Sequence, residues 1–286
     1  MQPAQPSPTG HYVHANGLRL YYEDTDASGA RSESDASEPL VLLHGGTDTS
    51  HAWRAVVPLL SARFRVLRPD SRGHGRTDNP AGRLSYPQMA EDVAAFISAL
   101  GLRRPLVCGW SDGGQTALEL ALEHPDVVRA VIANGVMATL TESYKAYARG
   151  VLCADAAGHV DLERYASEHA TAVGRLRALH SHVYGEEYWR DFLPRIAALW
   201  LSPTGLTPER LARIRVPLLL SHGDRDEFIA LEEPLALYRQ IPGAELAVAP
   251  HADHSFPARQ PEVFAAQVLG FDDRLRQAEQ AQSATG

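Results

Sequence analysis

The chain has 286 residues, 44% of them hydrophobic and 22% charged, with a formal net charge of −8 at pH 7. These are ordinary globular values, and the length suits one large domain, or one domain carrying an insertion, with a sizeable buried core. The acidic balance argues against nucleic acid and against an anionic membrane surface as partners. It fits a protein with no polyanionic partner, and the chain is expected to be a monomer or a homodimer.

Residues 1–10 are rich in Pro, Gln and Ser and predict a loose tail. The opening stretch MQPAQPSPTGHYVHANG has no basic segment followed by an apolar one, so no secretory leader is visible and a cytoplasmic location is expected. YVHANGLRLYYE follows, two β-rich runs around Asn16-Gly17, a strong hairpin signal. Asp24 to Pro39 is polar and nearly devoid of apolar side chains, which predicts a mobile loop.

A rhythm then begins. PLVLLHGG, RFRVLRPDSRGHG, RPLVCGWSDGG, VRAVIANG, VPLLLSHGDRD and AELAVAPHADH each carry a short apolar run that ends in turn chemistry. Such runs suit strands buried on both faces. Between them, SYPQMAEDVAAFISALG spaces Met89, Val93, Phe96, Ile97 and Leu100 as a helix with Gly101 as its stop, and GGQTALELALEHP is a helix ended by Pro125. The alternation predicts an α/β fold, a mostly parallel sheet flanked by helices.

The rhythm breaks between about Met137 and Arg215, where helical patterns without strands carry many aromatics. This predicts a helical cap inserted at 137–215 over a core domain at 11–136 and 216–272. Residues 1–10 and 273–286 are expected to be flexible termini, the second ending as a frayed helix. No apolar run approaches the ~18 residues that span a bilayer. Cys108 and Cys153, the only cysteines, make neither a disulfide framework nor a metal-type pair, which suits a reducing compartment.

Gly109-Trp110-Ser111-Asp112-Gly113 matches G-x-S-x-G between an apolar strand and a helix. A serine at the tip of so sharp a turn is strained, and the residues two before and two after it come close, so both must be small. The new helix aims its N-terminus at the serine and favours negative charge developing there. Ser111 is the candidate nucleophile; the plain alternative is a glycine-rich turn with an idle serine.

A serine hydroxyl needs a base. His254, in the loop after the last predicted strand, is the candidate, with His251 second. The sequence HADH offers only three potential ligands and no further group, so no metal is expected. The base needs an acid to fix its tautomer. Asp226 lies far enough into its loop to reach the histidine, whereas Asp224, beside Gly223, more naturally shapes the turn. Backbone N–H groups of Asp112 and Gly46, with Thr47 a further candidate, would form the oxyanion hole. His51 and Trp53 either line the pocket or pack.

Ser111, Asp226 and His254 in that chain order, on alternating strands and helices, have the order of the α/β-hydrolases. The chain resembles an α/β-hydrolase-fold protein with a helical cap. It carries HGG after one strand, DSRGHGRTD (Asp70 to Asp78) after the next, the elbow, GDRD, and a histidine seven residues before a proline in HSFPARQP. The resemblance spans roughly residues 12–271 apart from the polar loop and the cap.

It implies a cofactor-free serine hydrolase acting on carboxylic esters. Lactones, thioesters, amides or carbon–carbon bonds of ring-cleavage products are alternatives, and a small-molecule receptor on the same fold is the alternative from another class. In that family DSRGHGRTD is mainly a structural turn below the site, rather than an anion site. GWSDGG is similar to the elbow of the biphenyl-hydrolase-like, valacyclovirase-type branch, which implies that the Asp112 carboxylate holds a substrate amino group. Trp110 and Thr47 are further substrate-binding candidates. The aromatic cap suggests an apolar or aromatic, small to medium substrate, unless most of those rings are cap core.

Overall fold

The computed structural model describes residues 9–26 and 38–285. Most of the tail expected at 1–10, and most of the loop expected at 24–39, lie outside them. Strands β1 (Thr9–Ala15) and β2 (Leu18–Asp24) pair antiparallel, with Ala15 opposite Leu18. Asn16 and Gly17 between them have φ of 48° and 73°. Two central residues at positive φ are what a two-residue hairpin loop twisting with its strands requires.

The six apolar runs form β3 (Glu38–Leu43), β4 (Phe64–Pro69), β5 (Leu106–Trp110), β6 (Ala130–Asn134), β7 (Leu218–Gly223) and β8 (Glu245–Ala249). The sheet order is β1-β2-β4-β3-β5-β6-β7-β8. The hairpin joins β4 antiparallel, and every pair from β4 to β8 is parallel.

Successive side chains of a strand point to opposite faces, and the two cores follow that period. Val41, Leu43, Val107, Val131, Ala133, Leu218 and Leu220 face one cluster, completed by helices Tyr86–Ala99, Asp112–Glu123 and Glu232–Gln240. Leu40, Leu42, Leu106, Cys108, Ala130, Ile132 and Leu219 face the other, covered by the C-terminal helix. Helix Tyr86–Ala99 ends where Gly101 takes a φ of 60°, with Leu102 N–H bonded to Ile97 O and Gly101 N–H to Ser98 O, the paired bonds of a Schellman cap.

Between β6 and β7 lie helices Glu142–Leu152, Leu162–Glu168, Ala170–Tyr184, Trp189–Trp200 and Pro208–Leu211. The cap has its own core around Tyr165, Leu176, Trp189, Phe192 and Ile196. The expected boundary at 215 differs from the packing: Leu206, Leu211 and Ile214 belong to the main core, and Arg210 pairs with Glu119 and Glu123 of the helix after β5. The chain has rejoined the core domain before β7 begins.

The C-terminal stretch also differs from the expectation of a flexible end. A single helix runs Pro261–Thr285. Phe271 and Leu275 are buried, and the fully buried Asp272 accepts from Arg63, Arg129 and Arg276. A polar sequence concealed this, because two of the three anchoring partners, Arg63 and Arg129, lie more than a hundred residues away. Both cysteines are free and buried, and among the described residues no helix is long and apolar enough to cross a membrane.

Candidate active site

Ser111 stands between β5 and helix Asp112–Glu123 with φ 56° and ψ −116°. Such a conformation costs a non-glycine residue ~1–3 kcal/mol and persists only where the surroundings enforce it. Ser111 N–H donates to Asn134 O at 2.8 Å, and Ser111 O accepts from Gln115 N–H at 2.9 Å. The flanking glycines are steric necessities. A Cβ on Gly109 would lie 2.0 Å from Gly113 O, and one on Gly113 would lie 2.2 Å from Leu43 O and 2.7 Å from His44 O.

These obstacles are backbone atoms that cannot step aside. Gly113→Ala is therefore expected to lower stability by ~1–3 kcal/mol through overpacking, read as a drop in Tm. Helix propensity alone would raise stability by about 1 kcal/mol, so an unchanged or higher Tm would contradict the clash.

The loops after β7 and β8 bring Asp226 and His254 together. His254 Nδ1 lies 2.7 Å from Asp226 Oδ2, and both side chains are nearly fully buried. Asp226 Oδ1 accepts from the backbone N–H groups of Phe228 and Ile229 at 2.9 and 2.8 Å. Burial pushes the Asp226 carboxyl up, but the hydrogen bond and charge of His254 and the Ile229 N–H outweigh it. The group ends below the ordinary carboxylate range. Asp224 instead accepts from Ala252 N–H at 3.2 Å, in the turn.

The pair rests against Gly135, whose φ is 60°. A Cβ there would lie 3.0 Å from His254 Cε1, so a side chain after β6 would crowd the histidine as well as strain the backbone. The Phe228 ring packs at a tilt against that of His254, their centroids 4.6 Å apart. His251 is exposed at φ 52° and does not line the pocket that holds His254.

Ser111 and His254 line one cavity of about 190 Å³ at the carboxyl ends of the parallel strands. Gly45, Gly46 and Thr47 after β3, and Met137 after β6, form part of its wall. Trp200, Tyr144 and Arg175 of the cap roof it, and Tyr86 stands at its side. Gly45 approaches Ser111 closely: a Cβ on it would be 3.3 Å from Ser111 Cβ. Thr47 has a φ of 58°.

Asp112 is 4% exposed, and its carboxylate takes only neutral donors: Tyr86 Oη at 2.9 Å and Trp200 Nε1 at 3.0 and 3.1 Å. Burial pushes its carboxyl above the ordinary range in spite of those bonds, and Tyr86 is raised by burial and by Asp112, so it stays a donor. Three residues further along the helix, Gln115 donates to Met137 O at 2.9 Å while its buried Oε1 is without a partner.

The remaining candidates differ in their surroundings. Trp110 borders the cavity, but its Nε1–H donates to His254 O at 2.8 Å and its ring packs edge-on to Trp53 in the core. Trp53 is fully buried, and His51 is exposed beside a neighbouring groove. In DSRGHGRTD, Arg72 pairs with both oxygens of Asp92 at 2.5 and 2.6 Å, and Asp70 accepts from Ser50 and Arg76 N–H. The segment is a turn tied to Ser50, Asp92 and the cap residue His180 outside it. Of the cap aromatics, Tyr144 and Trp200 reach the cavity, while Tyr165, Tyr188, Trp189 and Phe192 are cap core.

Tyr86, Gln115, Arg175 and Phe228 were not singled out from the sequence. Tyr86 and Gln115 occupy ordinary helical positions, and no local pattern marks them. Among the described residues, Cys153, Glu168 and His169 of the cap are the one group whose donor atoms converge closely enough for a metal ion, and they do not line the cavity.

The profile of the "Alpha/beta hydrolase family" matches residues 40–267. An Azorhizobium caulinodans protein named "Putative carbamate hydrolase RutD" is 30% identical, over 93% of this chain and 99% of that protein. The mouse protein named "Serine hydrolase BPHL" is 25% identical, over 90% of this chain and 84% of its own length. Among solved structures, the enol-lactonase of Burkholderia xenovorans superposes with a TM-score of 0.67 at 25% identity, covering 91% of this chain and 99% of that one.

Proposed function

The chain belongs to the alpha/beta hydrolase family and is a hydrolase, and from that premise we propose that it is a serine hydrolase cleaving a small carboxylic ester through an acyl-enzyme. The observation that carries this reading is the His254–Asp226 pair, 2.7 Å apart, whose histidine lines the same cavity as the strained Ser111.

Ser111 Oγ attacks the ester carbonyl while His254 Nε2 takes its proton. Asp226 keeps the remaining proton on Nδ1 and stabilises the imidazolium. The carbonyl oxygen becomes an oxyanion, received by the N–H groups of Asp112 and of Gly46 or Thr47. Collapse expels the alcohol, protonated by His254, and leaves the acyl-serine. Water, deprotonated by the same histidine, then releases the acid.

A cavity of about 190 Å³ is little larger than the roughly 150 Å³ that accommodates benzene, so the acyl group is a short chain or a single ring. A panel of p-nitrophenyl esters from acetate to palmitate, with a lactone and an alkyl carbamate, tests this. Turnover is expected to peak at the short acyl chains, with a fluorophosphonate label found on Ser111. Turnover confined to palmitate, or a label elsewhere, would count against the proposal.

A second reading concerns the substrate's other end. The Asp112 carboxylate is buried without a cationic hydrogen-bond partner, and the unpartnered Gln115 Oε1 lies on the same helix. A buried carboxylate with neutral partners gains from a cation. An ammonium group on the substrate would supply it and also satisfy Gln115. Amino-acid esters are then expected to show about 10-fold or higher kcat/KM than their N-acetylated forms, in line with ~1.4 kcal/mol for one charged hydrogen bond. Equal values for the two would end this reading without touching the first.

A further inference from the structure

Among the side chains that the cap helix Ala170–Tyr184 sends to the loops beneath it is His180. His180 is 1% exposed. Its ring centroid lies 4.7 Å from that of Phe192 and 5.6 Å from that of His74. Its Nδ1 accepts the backbone N–H of Gly75 at 2.9 Å, and its Nε2 lies 3.2 Å from the carbonyl oxygen of Thr47.

Those two partners place the proton. A backbone N–H only donates, so Nδ1 is bare, and a carbonyl only accepts, so Nε2 carries the hydrogen. Burial, ahead of every other influence, pushes the imidazole down to about 4. The groups that face it are His44, His74, Asp70 and Asp48. Protonation would set N–H against N–H at Gly75.

Thr47 is a β-branched residue at a φ of 58°, a backbone region such side chains rarely adopt. Within its loop, Asp48 N–H reaches Gly45 O at 3.3 Å, while the Thr47 carbonyl goes to His180. The same cap helix holds the Asp48 carboxylate through Arg175 at 2.6 Å. The loop that carries Gly46 and Thr47 is thus held from above at two successive residues.

We propose that His180 is a positioning residue: its Nε2–H···O contact holds the Thr47 peptide, and with it the Gly46 and Thr47 N–H groups, in the geometry an oxyanion requires. The cap then helps assemble the site as well as roof it. This rests on the serine-hydrolase reading above.

His180→Gln and His180→Asn in the full chain separate the two contacts. Glutamine sets its amide N–H near the place of Nε2 and keeps the donor to Thr47. Asparagine sets its carbonyl near Nδ1 and keeps only the acceptor for Gly75. With p-nitrophenyl acetate, asparagine is expected to lower kcat ~10- to 100-fold, with KM within about threefold of the parent. It should weaken a boronic acid, which forms a tetrahedral adduct on serine, by the same factor, while glutamine stays within about threefold of the parent throughout.

Equal kcat in all three proteins, a loss confined to KM or Tm, or the reverse order of the two variants overturns the assignment. If neither variant folds, nitrogen NMR of the parent protein decides: an Nε2–H His180 at neutral pH supports it, and an Nδ1–H or charged ring overturns it. Ser111→Ala keeps the two readings apart. Full turnover by that variant removes the reaction itself, whereas an inactive Ser111→Ala beside a fully active His180→Asn removes only the role of His180.

Discussion

Ser111→Ala is expected to lower p-nitrophenyl acetate turnover by about 10⁴-fold or more, while leaving the fold intact. Alanine keeps the Cβ that already fits 3.3 Å from where a Gly45 side chain would begin. It also tolerates the φ of 56° no worse than serine does. What it lacks is Oγ, so no acyl-enzyme forms. The remaining acceleration comes only from binding and the backbone donors, and in serine hydrolases that residue is ~10³–10⁴-fold over water. The measurement is kcat/KM together with a thermal melt. Parent-like turnover by a folded Ser111→Ala would exclude the acyl-serine route.

Asp226→Asn is expected to cost nearly as much, about 10³–10⁴-fold in kcat. The geometry leaves the amide no good choice. Asp226 Oδ1 accepts two backbone N–H groups, from Phe228 and Ile229. An asparagine that keeps those bonds turns its NH₂ toward His254 Nδ1, now 2.7 Å from Oδ2. Nδ1 must then be the acceptor, the proton moves to Nε2, and the base can no longer accept from Ser111. The flipped amide sets its NH₂ against two N–H donors, which costs stability instead. Loss of kcat with parent-like KM and Tm is the expected pattern. Full activity would mean that Asp226 does not set the tautomer of His254.

The first of these arguments rests on a part of the molecule that local sequence describes well. The strands were legible because each is a short apolar run whose alternate residues feed two cores, as Val41 and Leu43 do on one side and Leu40 and Leu42 on the other. The elbow was legible because its steric demand falls within five residues: Gly109 and Gly113 meet across Ser111. The hairpin at Asn16-Gly17 and the helix stop at Gly101 obey the same local rule, positive φ where the chain must turn.

The rest of the site is made of contacts that no periodicity encodes. Trp200 meets Asp112 across 88 positions, and His180 meets Thr47 across 133. The C-terminal helix is anchored by Arg129 and Arg63, which stand far from Asp272 in the chain. Polar side chains give no directional signal until a partner is brought within hydrogen-bonding reach. The sequence shows Asp272 as one more charge in a polar tail, and His180 as one of 13 histidines.

By itself, then, the sequence determined the parallel sheet, the strained serine between two obligatory glycines, and the chain order of the candidate triad, because backbone sterics and apolar periodicity act over a few residues. Only the tertiary structure decided that Leu206, Leu211 and Ile214 pack into the main core and that the last helix is held down. It alone gave the Asp112 carboxylate its neutral partners, and laid a cap histidine on the loop beside the serine. Each of those outcomes depends on which distant groups share a buried volume. There an unmatched donor, acceptor or charge is expensive, so pairing selects the arrangement.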